Sequence, residues 1–159
     1  MDKGEKSRQE FLLSISLFKE IEARYIESVT RRNLMEEFEF YRCERCGNVV
    51  ALLVKGGGTL TCCGAAMTKL VAKTADAGSE KHVPVIAHEG GKLVAKCGSV
   101  PHPMTAVHHI EWFALVANGN VQFVYLPHEG VEAKAEFPDV AHGTVYAFCN
   151  MHGLWKAEF

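Results

Sequence analysis

The chain has 159 residues, of which 48% are hydrophobic, and its net charge is -2 with histidine neutral. This length supports one ordinary core, or a small module beside a modest core, and the charge argues against a broad basic surface for nucleic acid. No apolar run approaches the roughly 20 residues that span a bilayer, and the N-terminus lacks the apolar core of a signal peptide. We therefore expect a cytoplasmic protein with no nucleic-acid or membrane partner.

The first expected element is an amphipathic helix in an N-terminal extension, residues 1–34. Ser7-Arg8-Gln9-Glu10 has the form of a capping box. Apolar residues then recur at helical spacing, at Phe11, Leu12, Ile15, Phe18, Ile21, Tyr25, Ile26 and Val29. The alternative is that translation starts at Met35, just ahead of the first cysteine. If AGG codons encode Arg31-Arg32, the gene carries a ribosome-binding sequence there, and other codons would remove that argument.

Residues 35–72 form a second segment, in which four of the six cysteines cluster. Cys43-x-x-Cys46 and the adjacent Cys62-Cys63 offer four thiolates, a set that suits Zn²⁺ or iron in a tetrahedron. A unit this small cannot bury enough apolar surface to be stable alone, so a metal is expected to hold it. A structural zinc knuckle and a redox-active iron site both fit this spacing.

Two local features of this segment predict its backbone. Apolar residues before and after the glycine-rich turn at 56–58 predict a short hairpin between residues 49–54 and 59–61. Adjacent strand residues point in opposite directions, so Cys62 and Cys63 can bind one metal only if the chain bends sharply. Gly64 permits such a bend.

Residues 73–159 are predicted to be mainly β, because short β-rich runs alternate with turn signals every eight to twelve residues. About seven short strands with this spacing predict a β-sandwich. The runs are 82–86, 92–96, 109–116, 121–126, 131–137 and 144–148.

All eight histidines lie in this third segment, between His82 and His152. Cys149 and His152 are three positions apart in YAFCNMHGLWK, a spacing at which one segment can offer a thiolate and an imidazole to one metal ion. A lone histidine is more often a surface or core residue. His102 is a stronger candidate because the prolines on either side fix its backbone and limit strand pairing.

Six motifs, read in order, resemble the desulfoferrodoxins, the two-domain class of superoxide reductase. They are FYRCERCGNVV, CCGAAM, EKHVPV, GSVPHPM, HHIEW and YAFCNMHGLWKAE, and together they cover about residues 36–159. The resemblance implies a desulforedoxin-like iron–tetrathiolate module over residues 35–72. It also implies an immunoglobulin-like β-sandwich over residues 73–159, and two mononuclear non-haem irons per chain.

The resemblance also implies which residues act. The active iron would have four equatorial imidazoles and one axial thiolate, and the second iron four thiolates. Lys81 would draw superoxide in and help to donate a proton, and Glu80 would occupy the sixth position of the ferric iron. The implied ligands are His82, His102, His108, His152 and Cys149 for the active iron, and Cys43, Cys46, Cys62 and Cys63 for the other. The residues that match no ligand are His88, His109, His128, His142 and Cys97.

The activity implied in this way is one-electron reduction of superoxide to hydrogen peroxide, with a rubredoxin-like donor returning the electron to a homodimeric enzyme. Its biological role would be oxygen defence in an anaerobic or microaerophilic cell. Three alternatives from other classes remain: a zinc-stabilised binding module, an electron carrier that uses only the four-cysteine iron, and a metal store or sensor. Whether that iron relays electrons or only stabilises its module is also open.

Overall fold

The structure is a computed structural model that describes residues 19–21, 38–76 and 81–159. Residues 19–21 are helical, and the rest of the predicted N-terminal helix lies outside the described residues. Phe38–Phe159 form one compact unit. This unit is built of antiparallel strands, so the predicted mainly β fold is confirmed. Within the described ranges, no helix has the length and apolar character needed to cross a membrane.

The first part of the unit is a three-stranded sheet in the order β2-β1-β5, beside a separate ribbon of β3 and β4. Its strands are β1 (Glu39–Arg42), β2 (Val49–Leu52), β3 (Thr61–Cys62), β4 (Ala65–Ala66) and β5 (Thr68–Leu70).

The predicted hairpin between residues 49–54 and 59–61 is wrong. Strand β2 pairs with β1, and β3 pairs with β4. The reason is that the first cysteine pair is itself the tight turn. The Cys43 N–H donates to the carbonyl oxygen of Asn48 at 2.8 Å, and the Gly47 N–H donates to that of Cys43 at 2.9 Å. These bonds close β1 onto β2.

The second part is a β-sandwich of seven strands in two sheets, ordered β10-β7-β6 and β12-β11-β8-β9. All neighbouring strands are antiparallel. The strands are β6 (Pro84–Glu89), β7 (Lys92–Cys97), β8 (Ile110–Ala117), β9 (Asn120–Tyr125), β10 (Lys134–Pro138), β11 (Thr144–Cys149) and β12 (Gly153–Glu158). Six of them correspond to the predicted runs, and β12 was not assigned from the sequence.

The four-stranded sheet is buried on both faces. On one face, Phe113 and Val145 join a core cluster with residues of β7 and β10, which lies between the two sheets. On the other face, Trp112 and Phe148 pack against Phe40 of the small sheet, with the Phe40 and Trp112 ring centres 5.1 Å apart. The small sheet therefore shares a hydrophobic core with the sandwich, and it packs on the outer face of the four-stranded sheet.

Candidate metal centres

Five of the side chains that were predicted to bind a metal converge at one end of the sandwich. Each offers one ligand atom, and these atoms all lie within 4.8 Å of one another. They come from the loop before β6, the loop between β7 and β8, the end of β11 and the β11–β12 turn. We call this group the five-ligand cluster, and its members are His82, His102, His108, Cys149 and His152.

The four imidazoles of the five-ligand cluster form a square. In the order His82, His102, His108, His152 and back to His82, neighbouring ring centres are 4.5 to 4.8 Å apart and the ring planes cross at 70 to 77°. Across the square, the rings of His82 and His108 are 6.1 Å apart. Four rings in this arrangement can direct one nitrogen each toward a common centre.

The atomic separations suit a transition metal. His82 Nε2 and His152 Nδ1 are 3.0 Å apart, and Cys149 Sγ is 3.6 Å from the same Nδ1. Metal–nitrogen bonds of about 2.1 Å at right angles place neighbouring nitrogens about 3.0 Å apart. Three of the five members, His82, His102 and Cys149, are buried, while His108 and His152 are half-buried. Imidazole and thiolate donors in this number fit iron.

The second group is the four-cysteine cluster, Cys43, Cys46, Cys62 and Cys63, whose sulfurs also lie within 4.8 Å of one another. Cys46 Sγ is 3.6 Å from Cys62 Sγ, which is 3.8 Å from Cys63 Sγ. A tetrahedron with metal–sulfur bonds of about 2.3 Å has edges of about 3.8 Å. The four sulfurs therefore have the spacing of a tetrathiolate site.

A sharp backbone bend lets the adjacent cysteines of the four-cysteine cluster face one centre. Cys63 has φ 53° and Gly64 has φ 73°, so two consecutive residues adopt the left-handed conformation. The Arg45 guanidinium donates to the carbonyl oxygen of Cys63 at 2.8 Å and braces the bend. The sequence predicted the bend at Gly64, but the structure extends it to Cys63.

The thiols of the four-cysteine cluster differ in acidity. Backbone N–H groups of Cys46 and Arg45 lower the pKa of Cys43 to about 7. Hydrogen bonding with the Cys46 thiol, followed by that with Cys62, raises the pKa of Cys63 to about 12. Four sulfurs this close cannot all ionise unless a cation compensates their charge, which a bound metal does.

Comparison with known proteins assigns the chain to a family. The family model "Desulfoferrodoxin" matches residues 74–158, and "Desulfoferrodoxin, N-terminal domain" matches residues 35–70. The chain belongs to the desulfoferrodoxin family. A desulfoferrodoxin homolog from Archaeoglobus fulgidus is 44% identical over 125 residues, which are 78% of this chain and 99% of that protein.

Two further relatives carry the name superoxide reductase. The one from Pyrococcus horikoshii is 37% identical over 111 residues, covering 58% of this chain and 96% of that protein. The crystal structure of the superoxide reductase from Treponema pallidum superimposes with a TM-score of 0.64 at 29% identity. It covers 76% of this chain and 98% of that one. The predicted family and fold are thereby confirmed.

Hydrogen bonds orient the side chains and backbone of the five-ligand cluster. His102 Nδ1 is 2.7 Å from the carbonyl oxygen of Pro103, so Nδ1 carries the proton and Nε2 presents its lone pair. Asp76 Oδ1 accepts the backbone N–H groups of His82 at 2.6 Å and Val83 at 3.0 Å. The Cys97 thiol donates to the carbonyl oxygen of His82 at 3.4 Å.

Asn150 positions the segment that carries His108. Its Oδ1 accepts the His109 N–H and its Nδ2 donates to the Val107 carbonyl oxygen, both at 3.0 Å. These two bonds fix the residues on either side of His108. Sequence reasoning missed Asp76 and Asn150, since they act through backbone groups and no ligand spacing marks them.

The residues that matched no ligand lie outside both clusters. His109 Nδ1 is 2.9 Å from the Thr105 carbonyl oxygen, and its ring faces His128 at 5.3 Å. His88 contacts Asp139 at 2.6 Å, and His142 is exposed. Cys97 lies in the core between the sheets, where burial raises the pKa of its thiol.

The two residues predicted to act on substrate are only partly described. Lys81 precedes His82 and is half-buried, while Glu80 lies outside the described residues. The backbone of Lys81 packs tightly against Gly98. A Cβ at Gly98, where φ is +75°, would come within 2.1 Å of the Lys81 carbonyl oxygen. This contact holds the Lys81 backbone beside the five-ligand cluster.

Proposed function

We propose that this chain is a superoxide reductase, which reduces superoxide by one electron to hydrogen peroxide at an iron held by the five-ligand cluster. The observation that carries the proposal is the square of four imidazoles with Cys149 beside it. Membership of the desulfoferrodoxin family and similarity to proteins named superoxide reductase support it. We further propose that the four-cysteine cluster holds a second iron.

The donor set suits this chemistry. Neutral imidazoles bind Fe²⁺ well, and a thiolate donates electron density that favours release of a reduced oxygen species. An iron held by these residues would supply the one electron that superoxide needs, and two protons complete hydrogen peroxide. Cys149 is fully buried, so its charge acts across a medium of low polarity, where electrostatic effects are strong.

Lys81 and Glu80 are the residues proposed to act on substrate. Superoxide is a small anion, so a local cation beside the cluster matters more for its approach than the net charge of the chain. We assign attraction of superoxide and proton donation through water to Lys81, and ligation of the ferric iron to Glu80. The hydrogen bonds that Asp76 accepts from the backbone of residues 82 and 83, and the close packing of Gly98 against Lys81, fix the backbone of residues 81–83.

Each turnover requires one electron from outside the chain. We assign this role to a rubredoxin-like donor and propose that the enzyme is a homodimer. The small sheet, which shares a packed core with the sandwich through Phe40, ends at the turn that carries Cys43 and Cys46, and we propose that a metal in the four-cysteine cluster stabilises this sheet.

The test begins with anaerobic reduction of the iron-loaded protein, followed by a pulse of superoxide. The visible spectrum should report oxidation of one iron, and a peroxide assay should report one hydrogen peroxide per iron oxidised. The adjacent histidines provide matched variants: His108→Ala should abolish the reaction, while His109→Ala should preserve it. A loaded protein that fails to oxidise, or equal loss in both variants, would refute the proposal. Zinc in place of iron at both clusters would favour a structural module instead.

A further inference from the structure

A lysine side chain lies next to the five-ligand cluster and has no role in the proposed reaction. Lys73 Nζ is 4.8 Å from the centre of the Trp155 ring. On Trp155, in turn, the imidazole of His82 stacks with a centroid separation of 4.8 Å and an interplanar angle of 15°. The indole is 5% exposed, so this stack is packed tightly. The Lys73 ammonium and the His82 imidazole thus both contact the Trp155 indole.

The position of this ammonium is fixed by several bonds. The Lys73 backbone N–H donates to the carbonyl oxygen of Leu154 at 3.0 Å, and its carbonyl oxygen accepts the Lys156 N–H at 2.9 Å. Lys73 Nζ donates to the carbonyl oxygen of His152 at 3.0 Å. One cation therefore contacts the backbone of one cluster histidine and the aromatic platform of another. A charge held in this way has a defined distance to the cluster.

Two other surface lysines of the sandwich form ion pairs with carboxylates. Lys92 Nζ lies 2.6 Å from Glu136, and Lys96 Nζ lies 3.1 Å from Glu132. Among the described residues, Lys73 forms no ion pair with a carboxylate. Its contacts with a carbonyl oxygen and an indole ring leave its full charge acting on its surroundings.

We propose that Lys73 is a positioning residue that tunes the electrostatics of the five-ligand cluster. Its charge raises the reduction potential of a metal bound there and strengthens the binding of small anions at that metal. This inference rests on the proposed function only in requiring a redox-active metal in the cluster. A fixed positive charge favours the metal state of lower charge and attracts an incoming anion.

The expected size of the electrostatic effect of Lys73 on the cluster follows from the distance between them. Two steps of 4.8 Å place Lys73 Nζ within about 10 Å of the His82 ring. Allowing for partial exposure of the side chain, one unit charge at this distance changes an equilibrium that involves another unit charge roughly three- to tenfold.

The experiment compares three variants of the full iron-loaded chain. Lys73→Met removes the charge and keeps the length of the side chain, and Lys73→Arg keeps the charge. Lys92→Met removes one charge five residues before Cys97, about 17 Å along β7 from the end that borders the cluster. Two quantities are measured for each: the midpoint potential against a redox mediator, and the affinity of the ferric protein for azide, a small anion that reports on the metal site.

Lys73→Met should shift the ferric-to-ferrous equilibrium about three- to tenfold toward the ferric form. It should also weaken azide binding by a similar factor, and high salt should shrink that difference. Lys73→Arg should stay close to the parent protein, because a guanidinium also stacks on indole and donates to a carbonyl oxygen. Lys92→Met should change neither quantity.

Equal potentials and azide affinities in Lys73→Met and the parent protein, at equal iron content, would overturn the proposal. Equal losses in Lys73→Met and Lys73→Arg would also overturn it, since they would reveal a purely structural role. Failure of the superoxide pulse would refute only the proposed function, because potential and azide affinity are measured without superoxide.

Discussion

The two clusters contrast in how the chain builds them. The ligands of the four-cysteine cluster lie between Cys43 and Cys63, in two tight turns, and two of the four cysteines are exposed. The five-ligand cluster spans His82 to His152, and three of its five members are buried. Short loops with suitable backbone bends suffice for the first. The second exists only when strands distant in sequence have paired, so its geometry depends on the core of the sandwich.

The largest expected effect is the loss of activity when Cys149 is replaced, compared with replacement of the buried Cys97. Cys149→Ser should abolish superoxide consumption, because a neutral hydroxyl cannot replace a thiolate donor. The matched control is Cys97→Ser, which makes the same substitution at a buried cysteine outside the cluster, keeps a donor for the His82 carbonyl oxygen, and should keep the reaction. Pulse measurements at equal iron content provide the comparison. Similar activity in both variants would remove Cys149 from the proposed site.

The next prediction tests whether the two clusters are independent. Cys46→Ser should release the metal from the four-cysteine cluster and loosen the small sheet, because a four-thiolate site loses one ligand. The prereduced five-ligand cluster should still react with a superoxide pulse. Metal analysis gives the remaining iron per chain, and stopped-flow spectroscopy gives the reaction. Loss of both metals in this variant would show that the clusters depend on each other.

A smaller effect is expected at the close approach beside Lys81. Gly98 and Gly91 share φ +75°, but a Cβ at Gly91 meets no atom within 4 Å. Gly91→Ala should destabilise the fold by about 1 kcal/mol through backbone strain. Gly98→Ala should add about 1–3 kcal/mol, because the new Cβ overlaps backbone atoms of Lys81. Denaturant unfolding of the iron-loaded variants measures both. Equal destabilisation would mean that the Lys81 segment shifts freely.

The smallest effect concerns acid stability of the small sheet. The Lys69 ammonium, followed by the Tyr41 hydroxyl, donates to the Glu39 carboxylate and lowers its pKa to about 2. A lowered folded-state pKa stabilises the protein above the unfolded value of about 4.3, and this contribution disappears as the pH falls toward 2.

Glu39→Gln should therefore be less stable than the parent protein at pH 7, and the difference should vanish near pH 2. Thermal unfolding at each pH measures it. Glu158→Gln is the control, since that side chain is 72% exposed and has one 3.4 Å contact with Lys156. A difference that persists at pH 2 would assign the effect to packing of Glu39 and not to its charge.

Much of the fold and of the cluster membership could be predicted from the sequence, because both rest on local signals. Turn residues and β-rich runs marked six of the seven sandwich strands. The seventh, Gly153–Glu158, carries buried Leu154 and Trp155 side by side, on a sheet covered on both faces, so it lacks the alternation of a half-buried strand. The hairpin prediction failed because strand β2 has a turn on either side, the Cys43–Cys46 turn before it and the glycine-rich loop after it. Either turn could form a hairpin, and the sequence does not show that β2 pairs with β1.

The sequence by itself predicted which nine side chains form the two clusters, since the motifs that carry the resemblance to the desulfoferrodoxins are local stretches of the chain. That they hold iron remains our proposal. Only the tertiary structure decided how the four imidazoles form a square, how Asp76 and Asn150 hold its histidine segments, and that Lys73 lies over the indole that stacks on His82. These contacts join residues from separate loops and strands. Their distances follow from strand pairing and core packing, which no local pattern specifies.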